Sequence, residues 1–85
     1  MKSFKLTVTS PDGNAFSGDV QMLTVRGVMG ALAVMAGHTP LVTALKPCTI
    51  KIVTENNEIL ADIGGGILSV SKEQTLLLSS SYSVK

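Results

Sequence analysis

Residues 48–70 read CTIKIVTENNEILADIGGGILSV. Cys48, Ile50 and Ile52 alternate with Thr49, Lys51 and Val53, the period of two that marks a strand with one face buried. Glu55-Asn56-Asn57-Glu58 interrupts the pattern, and Ile59, Leu60, Ala61 and Ile63 resume an apolar run. Paired asparagines between two such runs supply a hairpin turn, because Asn tolerates the backbone angles a tight turn demands. Gly64-Gly65-Gly66 then separates this hairpin from Ile67-Leu68-Ser69-Val70. The glycine triplet lacks both the Lys-Ser/Thr ending and the following helix of a phosphate-binding loop. It reads instead as a sheet corner or bulge, where missing side chains let backbones approach.

The same alternation extends outward. Phe4, Leu6 and Val8 face one side and Lys5, Thr7 and Thr9 the other, a half-buried strand. Ser10-Pro11-Asp12-Gly13-Asn14 is a turn cluster. Residues 19–26 read as one long strand with apolar groups on both faces, hence a central strand or one beneath a partner. Gly27, Gly30 and Gly37 break any long helix, leaving two tight turns around a short strand at 32–35. Gly37-His38-Thr39-Pro40 is the next turn, and a short strand at 41–45 precedes Lys46-Pro47. Ser71-Lys72-Glu73 turns the chain into a last strand at 75–79, and the polar tail 80–85 is expected to fray. Val, Ile and Thr make up 22 of the 85 residues, a β-rich composition. The expected fold is all-β, a flattened sandwich or barrel of about eight to ten short strands. It forms a single domain over residues 1–85.

Composition narrows the function. The chain is 45% hydrophobic and only 15% charged, with a mean hydropathy of +0.39. That excludes intrinsic disorder and suggests apolar surface that a partner covers. Seven Lys and Arg against six Asp and Glu are scattered along the chain, and the aromatics are Phe4, Phe16 and Tyr82 alone. Nucleic-acid binding needs a basic stripe with stacking platforms, and neither is present. No apolar leader follows Met1, and the longest run without a strongly polar side chain, residues 28–37, is too short to span a bilayer.

Candidate chemistry is sparse. One cysteine, Cys48, and one histidine, His38, support neither a disulfide nor a structural zinc site. Cys48 keeps phase with Ile50 and Ile52, as a small buried hydrophobe does. A His38–Cys48 dyad would need a geometry that the sequence cannot supply. The carboxylates Asp12, Asp19, Glu55, Glu58 and Asp62 fall in turns or at strand edges, where charge protects against edge pairing. These residues describe a binding or assembly module. No catalytic residue, metal or cofactor is expected.

Several segments occur together in one order: Phe16-Ser17-Gly18, Gly30-Ala31-Leu32, Gly37-His38-Thr39-Pro40-Leu41, Lys46-Pro47, and Gly65-Gly66-Ile67-Leu68-Ser69-Val70. Over nearly the whole chain this set closely resembles the N-terminal β-sandwich domain of the epsilon subunit of F-type ATP synthase, the delta subunit of the mitochondrial enzyme. Ala31, Ala33, Ala36, Cys48 and Ser69 depart from that family's usual Glu, Gly, Pro, Gly and Glu. The resemblance implies a non-catalytic central-stalk subunit that joins the gamma subunit to the membrane c-subunit ring. There it couples proton or sodium transport to ATP synthesis, peripheral on the cytoplasmic side of a bacterial cell membrane. It implies gamma contacts at Ser10, His38 and Thr43. It implies c-ring contacts at Val28, Met29, Gly30, Ala31 and Leu32. The family's C-terminal helical hairpin has no counterpart in residues 1–85, so the chain is expected to bind gamma yet inhibit ATP hydrolysis little. The alternative reading is a stand-alone β-sandwich interaction module, with a small hydrolase built on His38 and Cys48 behind it.

Overall fold

In the computed structural model, residues 2–37 and 39–85 are described, and eight strands organise them. Strand β1 (Phe4–Ser10) turns through Pro11 and Asp12 into β2 (Gly13–Val20). Strand β3 (Met22–Gly27) turns through Val28 and Met29 into β4 (Gly30–Met35). The long hairpin of β5 (Leu41–Val53) and β6 (Glu58–Val70) follows, then β7 (Gln74–Ser79) and β8 (Tyr82–Val84). All lie in one sheet in the order β2-β1-β7-β6-β5-β3-β4, with β8 pairing β6 off that path. Neighbours are antiparallel except β1 and β7, which run parallel with Lys5 opposite Gln74 and Thr9 opposite Leu78.

The sheet folds over on itself because β5 and β6 serve both of its halves. Gly66 through Val70 of β6 pair with β7, while Ala61 through Ile63 pair with β8. Likewise, Lys51, Ile52 and Val53 of β5 pair with β3. Between the halves the inward alternation changes parity. Leu45 is buried, Lys46 and Pro47 are both exposed, and Ile50 and Ile52 are buried again. Opposite them, Ala61, Ile63 and Gly65 point inward, then Leu68 and Val70. Two paired strands that switch parity at the same place bend together, and that bend is the corner of a sandwich. Gly65 and Gly66 carry φ of 93° and 152°, and a Cβ on Gly66 would overlap the Leu78 carbonyl. The corner therefore requires the glycine. Inside it, Leu6, Val8, Leu23, Ile50, Ile52, Leu68 and Leu77 are fully buried in one apolar cluster drawn from both halves.

The all-β sandwich and the glycine corner are as the sequence reading expected. Four details differ. The runs at 41–45 and 48–53 are one 13-residue strand, as are 59–63 and 67–70, because backbone pairing continues through the corner, with Leu45 opposite Gly66 and Pro47 opposite Gly64. The long strand expected at 19–26 is broken at Gln21, whose N–H donates to the Val53 carbonyl at 2.6 Å. Residues 13–18, not expected as strand, join Asp19 and Val20 in β2. The tail does not fray: Tyr82 pairs with Ile63 and packs on the core, and the Lys85 N–H donates to the Leu60 carbonyl at 2.8 Å.

Candidate functional site

The two outer faces of the sandwich have different chemistry. On one half, Ala44, Ile67 and Leu78 stand directly opposite one another across β5, β6 and β7, with Val42 two residues along β5 on the same face. Val42, Ile67 and Leu78 are 72%, 49% and 44% exposed. That is a contiguous apolar stripe on a surface that solvent would otherwise cover. The outer face of the other half is mixed: exposed Leu60 and Met35 lie there among polar pairs. Lys51 pairs with Glu58 at 3.2 Å, and Asp62 accepts a hydrogen bond from the Thr49 hydroxyl at 2.6 Å and faces Lys85 at 3.7 Å. These pairs are exposed and contribute little to stability, but they mark a solvent face.

The hairpin between β3 and β4 carries a second apolar feature. Val28 and Met29 form its tip and are 52% and 94% exposed. The tip is tied down by the Val28 N–H, which donates to the Ala44 carbonyl at 3.1 Å. Beside it lies a shallow hollow of about 190 Å³ lined by Gly27, Met29, Gly30, Ala31, Leu32, Leu41 and Thr43. Apart from the Thr43 hydroxyl, no side chain in that lining offers a polar group.

The structure brings some of the expected contact residues together and separates others. Val28 through Leu32 form one continuous hairpin edge, and Thr43 lines the same hollow as Met29, Ala31 and Leu32. Ser10 ends β1, with its hydroxyl 3.4 Å from the Gly13 carbonyl. Three strand spacings separate β1 from β5, about 14 Å, so Ser10 and Thr43 share a sheet half without touching. His38 lies outside the described residues. The apolar stripe of Val42, Ile67 and Leu78 was not among the expected contacts. Its signal is Leu76-Leu77-Leu78, three successive leucines in a strand, which cannot all face one core.

Among the described residues no three His, Cys, Asp or Glu side chains converge as metal ligands would. Cys48, expected to be buried, is half-buried: it packs against the core within β5, its thiol 4.0 Å from the Arg26 carbonyl. A larger hollow of about 410 Å³ at one end of the sandwich is lined by Phe4, Met35, Gly37, Thr39, Pro40, Val70, Ser71, Lys72, Gln74 and Thr75. Among the described residues of that lining, Lys72 is the one charged group. Burial raises the Tyr82 phenol above its usual value of 10.0, which keeps it neutral near pH 7. Among the described residues, no helix is long and apolar enough to cross a membrane.

Comparison with known proteins identifies a family for this fold. The family described as "ATP synthase, Delta/Epsilon chain, beta-sandwich domain" matches residues 3–83. The ATP synthase epsilon chains of Bacillus pumilus and Bacillus velezensis are each 33% identical over 79 residues, covering 93% of this chain. The chain spans 60% of the length of each of those relatives. Among solved structures, a chain of the Euglena gracilis mitochondrial ATP synthase superposes with a TM-score of 0.91 at 24% identity, over 96% of this chain and 53% of that one. A chain from the central stalk and c-ring of the Tetrahymena thermophila mitochondrial ATP synthase gives 0.78 at 16% identity, over 95% and 66%. At those identities the two structures establish the shared fold.

Proposed function

Because the chain belongs to the ATP synthase delta/epsilon family through its β-sandwich domain, we propose that it is a non-catalytic central-stalk subunit of an F-type ATP synthase. In this reading it sits between the gamma subunit and the c-subunit ring and turns with both. It thereby couples proton or sodium movement to ATP synthesis, on the cytoplasmic side of a bacterial membrane. The hairpin of Val28, Met29, Gly30, Ala31 and Leu32 rests on the ring, and Ser10, His38 and Thr43 contact gamma.

The observation that carries this reading is the β3–β4 tip: two apolar side chains, one of them 94% exposed, on a backbone anchored to β5. A soluble domain gains nothing from displaying Met29 to water. Covering it contributes about 1.5–3 kcal/mol before the costs of ordering. Ala31 brings no charge, so docking here is by apolar and backbone contact. A rotor needs such grip rather than catalysis.

The test is Met29→Asp in an ATP synthase rebuilt with this chain in membrane vesicles. A carboxylate forced into an apolar contact should lower the ions pumped per ATP hydrolysed. Unchanged coupling, with the variant chain shown to be present in the complex, overturns the docking role of the tip.

A further inference from the structure

The sheet path ends in two strands, β2 and β4, each with one side unpaired. An edge strand directs the N–H and C=O of alternate residues outward, a template for another strand. The two edges are protected very differently. Strand β2 meets β1 across a register shift between Val8 and Thr9, and it carries Asp19. A bulge and a charge both discourage further pairing. Strand β4 reads Gly30-Ala31-Leu32-Ala33-Val34-Met35, with no charge and no proline. It keeps unbroken register with β3 from Gly27 opposite Gly30 to Met22 opposite Met35. Among the described residues, no backbone hydrogen bond links β4 to anything but β3.

We propose that the free edge of β4 pairs with β4 of a second copy of this chain, antiparallel about a twofold axis through Ala33. The sequence of the edge selects this occupant. Self-pairing sets like against like, which a charged edge could not tolerate, and β4 has no charge to oppose. The whole chain carries a net charge of only +1, so two copies repel weakly. Opposed residues of an antiparallel pair point to the same face, so a twofold axis must pass through a residue and not between two. Through Ala33, the axis sets Ala31 against the partner's Met35 on the outer face. It sets half-buried Leu32 against the partner's Val34 on the core side, where Leu32 gains apolar cover. Small Ala31 and Ala33 let the chains approach. An axis through Leu32 would draw Gly30, whose φ of 124° departs from strand geometry, into the ladder. Five paired residues bury less than the roughly 1,200 Å² of a stable interface, so the dimer dissociates on dilution. The inference does not rest on the rotor reading. Its consequence there is that a self-paired chain has Leu32 engaged and cannot at the same time seat that residue on a ring.

Two measurements test it. In a Cys48→Ser background, Ala33→Cys brings two thiols face to face across the axis. Opposed Cβ atoms lie about 4.5–5.5 Å apart there, within a small adjustment of disulfide geometry. Mild oxidation should give covalent dimers joined through position 33, and far fewer from Ala31→Cys or Leu78→Cys. By sedimentation equilibrium, Ala33→Lys should weaken self-association at least tenfold with the melting temperature unchanged, while Ile67→Lys leaves association intact. A wild-type chain that stays monomeric to about 1 mM overturns the proposal. So does equal cross-linking at position 78, or an Ala33→Lys variant that associates like wild type.

Discussion

Alanine at Gly66 tests the corner that divides the sheet. The added Cβ meets the carbonyl of Leu78 and lies 2.9 Å from the Ser79 Cα, and both are backbone of the neighbouring strand. No rotamer change relieves that contact. Either β7 moves away from β6, loosening the Gly66–Ser79 pair, or the corner changes shape. Overpacking of this kind costs about 1–3 kcal/mol. Holding a residue with a Cβ at φ 152° adds about 1–3 kcal/mol. Against these, alanine narrows the unfolded ensemble and returns about 0.4–1 kcal/mol. The net loss is about 3 kcal/mol, a large share of the roughly 4–13 kcal/mol expected of a domain this size. At about 4–8 °C per kcal/mol, the melting temperature should fall by roughly 12–24 °C. The assay is thermal and urea unfolding followed by circular dichroism, with Gly64→Ala as control. At Gly64 the new Cβ meets the hydroxyls of Ser80 and Ser81, flexible side-chain ends that can rotate away. A Gly66→Ala protein that melts within about 4 °C of wild type, or a control that loses as much, would refute the steric argument.

Further perturbations report on other parts of the molecule. Ser79 is buried, its hydroxyl placed to donate to the carbonyl of Gly65 at 2.8 Å or of Ser81 at 2.7 Å, so Ser79→Ala should cost about 1–3 kcal/mol in urea unfolding. Met29→Asp should leave the stability of the isolated chain within about 0.5 kcal/mol of wild type, because the side chain touches little of its own fold. A large loss would mean that the tip is structural. Burial raises the folded-state pKa of Tyr82 above the unfolded value of 10.0. The native state therefore holds its proton longer, and the stabilisation is complete below pH 10 and is lost as pH climbs through the folded value. Absorbance titration should show a phenol that ionises later in the folded chain than in urea, and coincident curves would contradict the burial.

What the sequence made legible follows from how locally each feature is specified. Phe4, Leu6 and Val8 announce β1 because a half-buried strand needs nothing beyond its own alternation. The glycine triplet announces the corner because three successive residues without side chains suit a site where backbones nearly touch. Its neighbours misled in detail, since Lys46-Pro47 and Gly64-Gly65-Gly66 looked like strand ends yet pair with each other. Strand β2 was hidden because Gly13-Asn14-Ala15-Phe16-Ser17-Gly18 carries few β-formers and is held by pairing to β1. Tyr82 and Ser83 were hidden for the same reason, as backbone ladders are blind to side-chain identity. Of the candidate surface, the apolar tip at Val28 and Met29 was visible as hydrophobes flanked by glycines with no core role. The stripe of Val42, Ile67 and Leu78 was not, because it comes from three strands whose adjacency only the fold creates.

The parallel pairing of β1 with β7 sets the order in which this chain can be built. Lys5 finds its neighbour in Gln74, almost the full length of the chain away. On the ribosome, the β1–β2 hairpin emerges early but has no partner for its other side until the residues up to Ser79 have been made. Such distant contacts carry a heavy loop-closure cost and are associated with folding in milliseconds to seconds. The sheet closes late and nearly at once, so a nascent chain stalled before position 74 would leave an incomplete seam for chaperones to guard.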